Sequence, residues 1–114
     1  MGAADLTGAK LESPNFTEAK LFKVNLTGAV METANFNGAG LFEANLTGAK
    51  LNRASFTEAR LGRANLTEAN LEGTDLTQAR GLTQQQVDSA CVNETTKLPV
   101  GLNLPPTLRP ECHD

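Results

Sequence analysis

From Ala4 to Arg80 the chain repeats itself every five residues. A large apolar side chain stands at Leu6, Leu11, Phe16, Leu21 and every fifth position to Leu76, 15 in succession. Two places before each lies a small residue. Alanine fills 13 of the 16 slots from Ala4 to Ala79, the exceptions being Pro14, Val24 and Thr74. On an α-helix each step of five turns the chain by about 500°, a net ~140°, so the leucines would spiral round the surface and form no stripe. In an extended chain the small and large slots of one pentad share a side. Five is odd, so a straight strand would send the next pair the opposite way. A corner in every pentad restores the facing. The chain therefore winds into a coil, with the small and large slots inside and three positions outside.

The aromatic residues count the pentads per circuit. Phe16, Phe36 and Phe56 lie 20 apart, as do Phe22 and Phe42, and these are all five phenylalanines of the chain. Four pentads per circuit stack the three inner rings, whereas a 15-residue circuit scatters them. The expectation is a square β-solenoid of just under four turns, rising roughly 4.8 Å per turn. Glycines at Gly8, Gly28, Gly38 and Gly48 fit corners that need positive φ.

The run Ala44-Asn45-Leu46-Thr47-Gly48-Ala49-Lys50-Leu51 resembles the A(D/N)LXX signature of pentapeptide-repeat proteins. The resemblance covers residues 4 to 80. It implies an all-β, right-handed quadrilateral β-helix; the hand comes from the family, not from the spacing. Residues 1–80 are thus assigned to the solenoid and 81–114 to a C-terminal cap.

The repeat fails at Gly81. Thr83 is placed to cap a helix running to about residue 92, with Gln86 as its capping-box partner and Leu82 with Val87 as a hydrophobic staple. That span puts Leu82, Val87 and Cys91 over the last turn. Leu98 to Pro106 is too rich in proline for a helix, and its alternate leucines read as an extended strap. Met1 to Ala3 offer no cap for the other end.

Cys91 and Cys112 are the only cysteines. Either they close the strap through a disulfide, worth about 3 kcal/mol for a loop of this length, or they are two unrelated thiols. The tail from Ala90 to Cys112 resembles that of exported members of the family, which implies a periplasm or thylakoid lumen. With His113 the cysteines supply three metal ligands, short of a closed zinc set, and no CxxC spacing exists. No Ser/His/Asp set, paired acid and base or phosphate loop can be assembled, so the chain reads as no enzyme and calls for no cofactor. The Asn-X-Thr matches at Asn15, Asn25, Asn45 and Asn65 are the repeat itself. No apolar run approaches the ~18 residues that span a bilayer.

The outer residues sort into four walls. One bears a threonine ladder, Thr7, Thr27, Thr47 and Thr67, beside Asp5, Asn25, Asn45 and Asn65. The wall over the inner phenylalanines carries Glu18, Glu58 and Asp75. The wall on Leu21, Leu41 and Leu61 carries Lys20, Lys23, Arg60, Arg63 and Arg80 against Glu43, and holds Phe22 above Phe42. Cations with outward aromatics make it the candidate interaction face, unless the strap folds over the rings.

The function expected is a rigid binding module for a protein partner, monomeric, with a dimer left open. Other readings are a metal-handling or enzyme accessory domain through the cysteine tail, and ice binding on the threonine wall. Some members of the family mimic DNA and bind gyrase. A DNA-mimic-type, gyrase-interacting protein is thus a further alternative, although residues 1–80 carry 8 basic and 9 acidic groups where DNA bears one charge per about 1.7 Å. The net −3 of the whole chain, 10 basic against 13 acidic residues, argues against nucleic-acid binding.

Overall fold

The computed structural model describes residues 4–106. Parallel bridges join Asp5 to Asn25, Lys10 to Val30, Asn15 to Asn35 and so on to Arg60 with Arg80, always 20 residues apart. Four pentads therefore close each circuit, and the fold is a quadrilateral β-helix. The residue before each inner leucine does the pairing. Asn25 donates its N–H to the Ala4 carbonyl at 2.9 Å, and its own carbonyl accepts from Leu6 N at 2.7 Å.

Each corner is a tight turn. The Ala9 N–H closes on the Leu6 carbonyl at 3.0 Å, with Gly8 between them at φ 70. A positive φ at this third position is what a type II turn demands. Gly28, Gly38 and Gly48 follow suit at 68, 73 and 68. Glycine is only part of the rule, because nine other residues take the same conformation among the described residues, from Glu18 at φ 62 to the β-branched Thr33 at φ 59. Their side chains leave the prism at its edges, so the cost is confined to local backbone strain of about 1 kcal/mol each. Pro14 has no N–H to close its corner, and Ser13 there sits at φ 40.

Inside, the small and large slots from Val24 to Leu71 are buried. The inner phenylalanines stack as the 20-residue register requires: Phe16 on Phe36 at 5.3 Å and 20°, Phe36 on Phe56 at 4.8 Å and 9°. Leu6, Leu11, Phe16 and Leu21 of the first circuit are half-buried. Thr74 fits an alanine slot with no exposure because its hydroxyl donates to the Leu51 carbonyl at 2.6 Å.

Thr83 caps the helix as the sequence suggests, with both halves of the capping box present, but α1 spans only Gln84–Ser89. The expected run to residue 92 is too long, since Ala90 is already extended. Cys91 accordingly lies outside the helix. It bridges to Asn70, and Lys97 bridges to Asp75, at intervals of 21 and 22 residues. The helix interrupts the coil, which then resumes out of its five-residue phase. Thr96 occupies the inner slot there and donates to the Leu71 carbonyl at 2.8 Å. Beyond it Leu98, Leu102 and Leu104 pack on the core. The strap is not continuously extended: Leu102 N–H bonds the Pro99 carbonyl at 3.2 Å, Gly101 takes φ 96, and Val100 is fully exposed. Gln84 pins it through two bonds to the Asn103 backbone, at 2.7 and 3.0 Å.

Candidate functional site

The bridging residue of each pentad also decides how its wall treats solvent. On the threonine wall Asn45 Oδ1 accepts from both the N–H and the hydroxyl of Thr47, at 3.1 and 2.6 Å. Asp5 with Thr7 and Asn25 with Thr27 repeat the arrangement. The N–H of the residue after the inner leucine has no backbone partner, so an Asn or Asp two places back satisfies it. The Asn-X-Thr matches are this internal bond. The hydroxyls of Thr7, Thr27 and Thr47 donate to these oxygens, which leaves them less able to donate to an ice lattice. Asp75 is held the same way by Thr77, whose hydroxyl and N–H keep its carboxyl below the usual range.

The wall on Leu21, Leu41 and Leu61 lacks this device. Its bridging column reads Lys20, Gly40, Arg60 and Arg80, none of which can accept. Phe22, Phe42 and Gly62 therefore keep N–H groups with no acceptor among the described residues. The missing Asn or Asp at positions 20, 40 and 60 is a sequence signal of this feature, overlooked when the walls are sorted by charge alone.

Phe22 and Phe42 are exposed, at 52% and 42%. The strap leucines Leu98, Leu102 and Leu104 pack on the core cluster, to which neither ring belongs. Each ring rests on a glycine one circuit on: a Cβ at Gly40 would fall 2.8 Å from Phe22 Cε1, and one at Gly62 would fall 3.1 Å from Phe42 Cδ1. The glycines thus lay the rings against the wall. At one edge Glu43 lies between Lys23 at 3.8 Å and Arg63 at 3.7 Å. At the other, Arg80 pairs with Glu58 at 2.7 Å. These exposed pairs contribute under about 1 kcal/mol each. Beside them opens a cleft of about 390 Å³, bounded by Glu18, Lys20, Phe22, Gly40, Arg60 and Arg80.

Five of the chain's 10 basic residues gather on this wall, with Glu43 at one edge and Glu18 and Glu58 at the other, although the chain as a whole carries −3. The structure brings Lys20, Lys23, Phe22, Phe42, Arg60, Arg63 and Arg80 onto one surface. It places Cys91 apart from them, buried in the cap with its sulfur 3.6 Å from the Glu68 carbonyl. Cys112 and His113, needed for the disulfide and metal readings, lie outside the described residues. Among the described residues no three His, Cys, Asp or Glu side chains cluster to hold a metal. No described helix is long and apolar enough to cross a membrane.

Residues 1–38 and 44–80 match the family model for pentapeptide repeats, in 8 copies. No curated protein matches. Among solved structures the chain is similar to a pentapeptide repeat protein (Rfr23) from the cyanobacterium Cyanothece 51142, at 30% identity and TM-score 0.72 over 82% of this chain and 63% of that one. It is similar also to HetL, a pentapeptide repeat protein involved in heterocyst differentiation regulation from the cyanobacterium Nostoc, at 28% identity and TM-score 0.67, over 82% of this chain and 47% of that one. A pentapeptide repeat protein of the Arabidopsis thaliana thylakoid lumen shares the fold, at 23% identity and TM-score 0.50 over 92% of this chain and 72% of that one. The chain spans less than two thirds of the length of the first two.

Proposed function

We propose that this chain, which belongs to the pentapeptide-repeat family, is a non-enzymatic module that holds a protein partner against its Phe22–Phe42 wall. The observation that carries this reading is the pair of exposed rings, one circuit apart and seated on glycine, amid a concentration of positive charge. Water-exposed aromatics fixed on a rigid surface are favourable contact groups, since little side-chain freedom is lost on binding. The threonine wall spends its polar groups on itself, as Thr47 and Asn45 do. Asp5 and Asp75 are likewise committed to neighbouring threonines. The mixed charge of the coil does not favour DNA mimicry.

The test is a pull-down from the native host, comparing the wild-type chain with Phe22→Ser/Phe42→Ser. The reading expects a protein recovered by the wild type and lost with the variant, while both give the same thermal unfolding curve. A partner retained by the folded variant contradicts it. The Cys91–Cys112 disulfide, and with it an oxidising compartment, belongs to the same proposal. It predicts an intact mass lower than that of the reduced chain by two hydrogens.

A further inference from the structure

We infer that the partner presents an acidic segment to this wall, with its carboxylates seated beside Lys20 and Arg60, where the threonine wall carries its own Asn or Asp oxygens. The inference rests on the interaction reading above and adds the chemistry of the partner. Three observations converge on it. First, the N–H groups of Phe22, Phe42 and Gly62 have no acceptor among the described residues, whereas the equivalent N–H of Thr47 is met by Asn45 Oδ1 at 3.1 Å. A carboxylate oxygen brought from outside fits that vacant role, and a charged acceptor makes the stronger bond. Second, Lys20 and Arg60 stand before and after Gly40 in the same column, one circuit away on each side, and neither has an ion pair among the described residues. The Phe22 ring lies over Gly40 between them, so an incoming carboxylate meets Lys20 or Arg60 at the edges of that ring. Glu58, across the cleft, is already taken by Arg80 at 2.7 Å, and Glu18, packed over Gly38 at the far side of the same cleft, leaves the approach from the Phe22 and Phe42 side to the two cations. Third, the rings of Phe22 and Phe42 offer apolar contact beside these donors, so an acidic residue next to an apolar one meets both.

The wall on Leu11, Met31 and Leu51 is the internal comparison. Its bridging residues Lys10, Val30 and Lys50 also lack an acceptor, and the N–H groups of Glu12, Glu32 and Asn52 are likewise unmatched. There Glu12 and Glu32 follow the inner residues in place of phenylalanine. Their charge repels an anion, and the wall has no aromatic surface. Among the described residues only the Phe22–Phe42 wall combines unmatched donors, unpaired cations and apolar rings.

A fluorescein-labelled dodecapeptide of alternating glutamate and leucine serves as probe, followed by fluorescence anisotropy on the full chain. Saturable binding is expected, weakened about tenfold between 50 mM and 500 mM NaCl. Two double variants separate charge from hydrogen bonding. Lys20→Gln/Arg60→Gln removes the cations alone. Lys20→Asn/Arg60→Asn also installs internal acceptors, as at Asn25 and Asn45, and should weaken binding by about a further fivefold. Asn25→Gln on the threonine wall should leave affinity unchanged. Equal affinity for the Gln and Asn pairs would show that the free N–H groups are not used. No binding at 1 mM peptide, tighter binding of a dT12 oligonucleotide, or self-association that alone accounts for occupancy of the wall would each overturn the inference. Should the host pull-down still depend on Phe22 and Phe42 while the peptide fails, the acidic partner falls and the interaction reading stands.

Discussion

The rings of Phe36 and Phe56, 20 residues apart in sequence, stack with centroids 4.8 Å apart and planes 9° from parallel. The contact requires both residues to point inward on the same wall of successive circuits. It also fills the axis of a coil otherwise lined by alanine and leucine. Phe36→Ala should therefore destabilise the fold by about 4 kcal/mol. Phe16→Ala, at the half-buried end of the stack, should cost clearly less. Urea unfolding of the two variants checks the order, and an equal loss would contradict it.

The corners give a prediction of opposite signs. Gly48 at φ 68 has open space around it, so Gly48→Ala meets no atom within 4 Å. It should nevertheless lose about 1 kcal/mol, because only the backbone conformation penalises it. Thr33 holds φ 59 with a β-branched side chain, and Thr33→Asn should gain about 0.5 kcal/mol. Thermal melts of both variants measure the signs directly.

Gln86 ties the cap to the coil. Its side-chain amide donates to the Leu61 and Ala64 carbonyls at 2.8 and 2.9 Å, and its oxygen accepts from Thr83 N at 2.8 Å. Gln86→Ala should cost about 2 kcal/mol, against under about 0.5 kcal/mol for the exposed Gln85→Ala. Denaturant midpoints with unchanged slopes are the expected result.

Asp75 sets a pH dependence. The Thr77 hydroxyl and N–H hold its folded-state carboxyl below the ordinary value. A depressed folded value means stability present above the unfolded value of about 3.9 and lost as pH falls through the folded one. Asp75→Asn keeps the acceptor and removes the titration, so its stability should fall less between pH 5 and pH 2 than the wild type's. A parallel acid profile would show that Asp75 does not contribute.

Much of this architecture is written in the spacing. The position of Phe16, Phe36 and Phe56 follows from counting, and the Thr83–Gln86 box from local chemistry. The cap beyond it was harder to read. Six helical residues shift the coil out of its five-residue phase, so nothing in the repeat announces that Cys91 pairs with Asn70 or Lys97 with Asp75. Glycine marks some corners, yet Glu18, Lys23 and Arg63 adopt the same φ, because the turn's hydrogen bonds and the packed circuits outweigh a local backbone strain of about 1 kcal/mol. The Phe22–Phe42 wall was legible as charge and aromatics. Its free N–H groups emerge only once the structure shows what Asn45 does for Thr47 on the wall beside it.

Site-specific photo-crosslinking in the native host tests the central claim most directly. A benzophenone amino acid replaces Phe42 in one chain and Thr47, on the neighbouring wall, in another. The account predicts a defined protein adduct from position 42, suppressed by Lys20→Asn/Arg60→Asn, and little or none from position 47. Equal adducts from both positions, or a strong adduct from 47 alone, would contradict it.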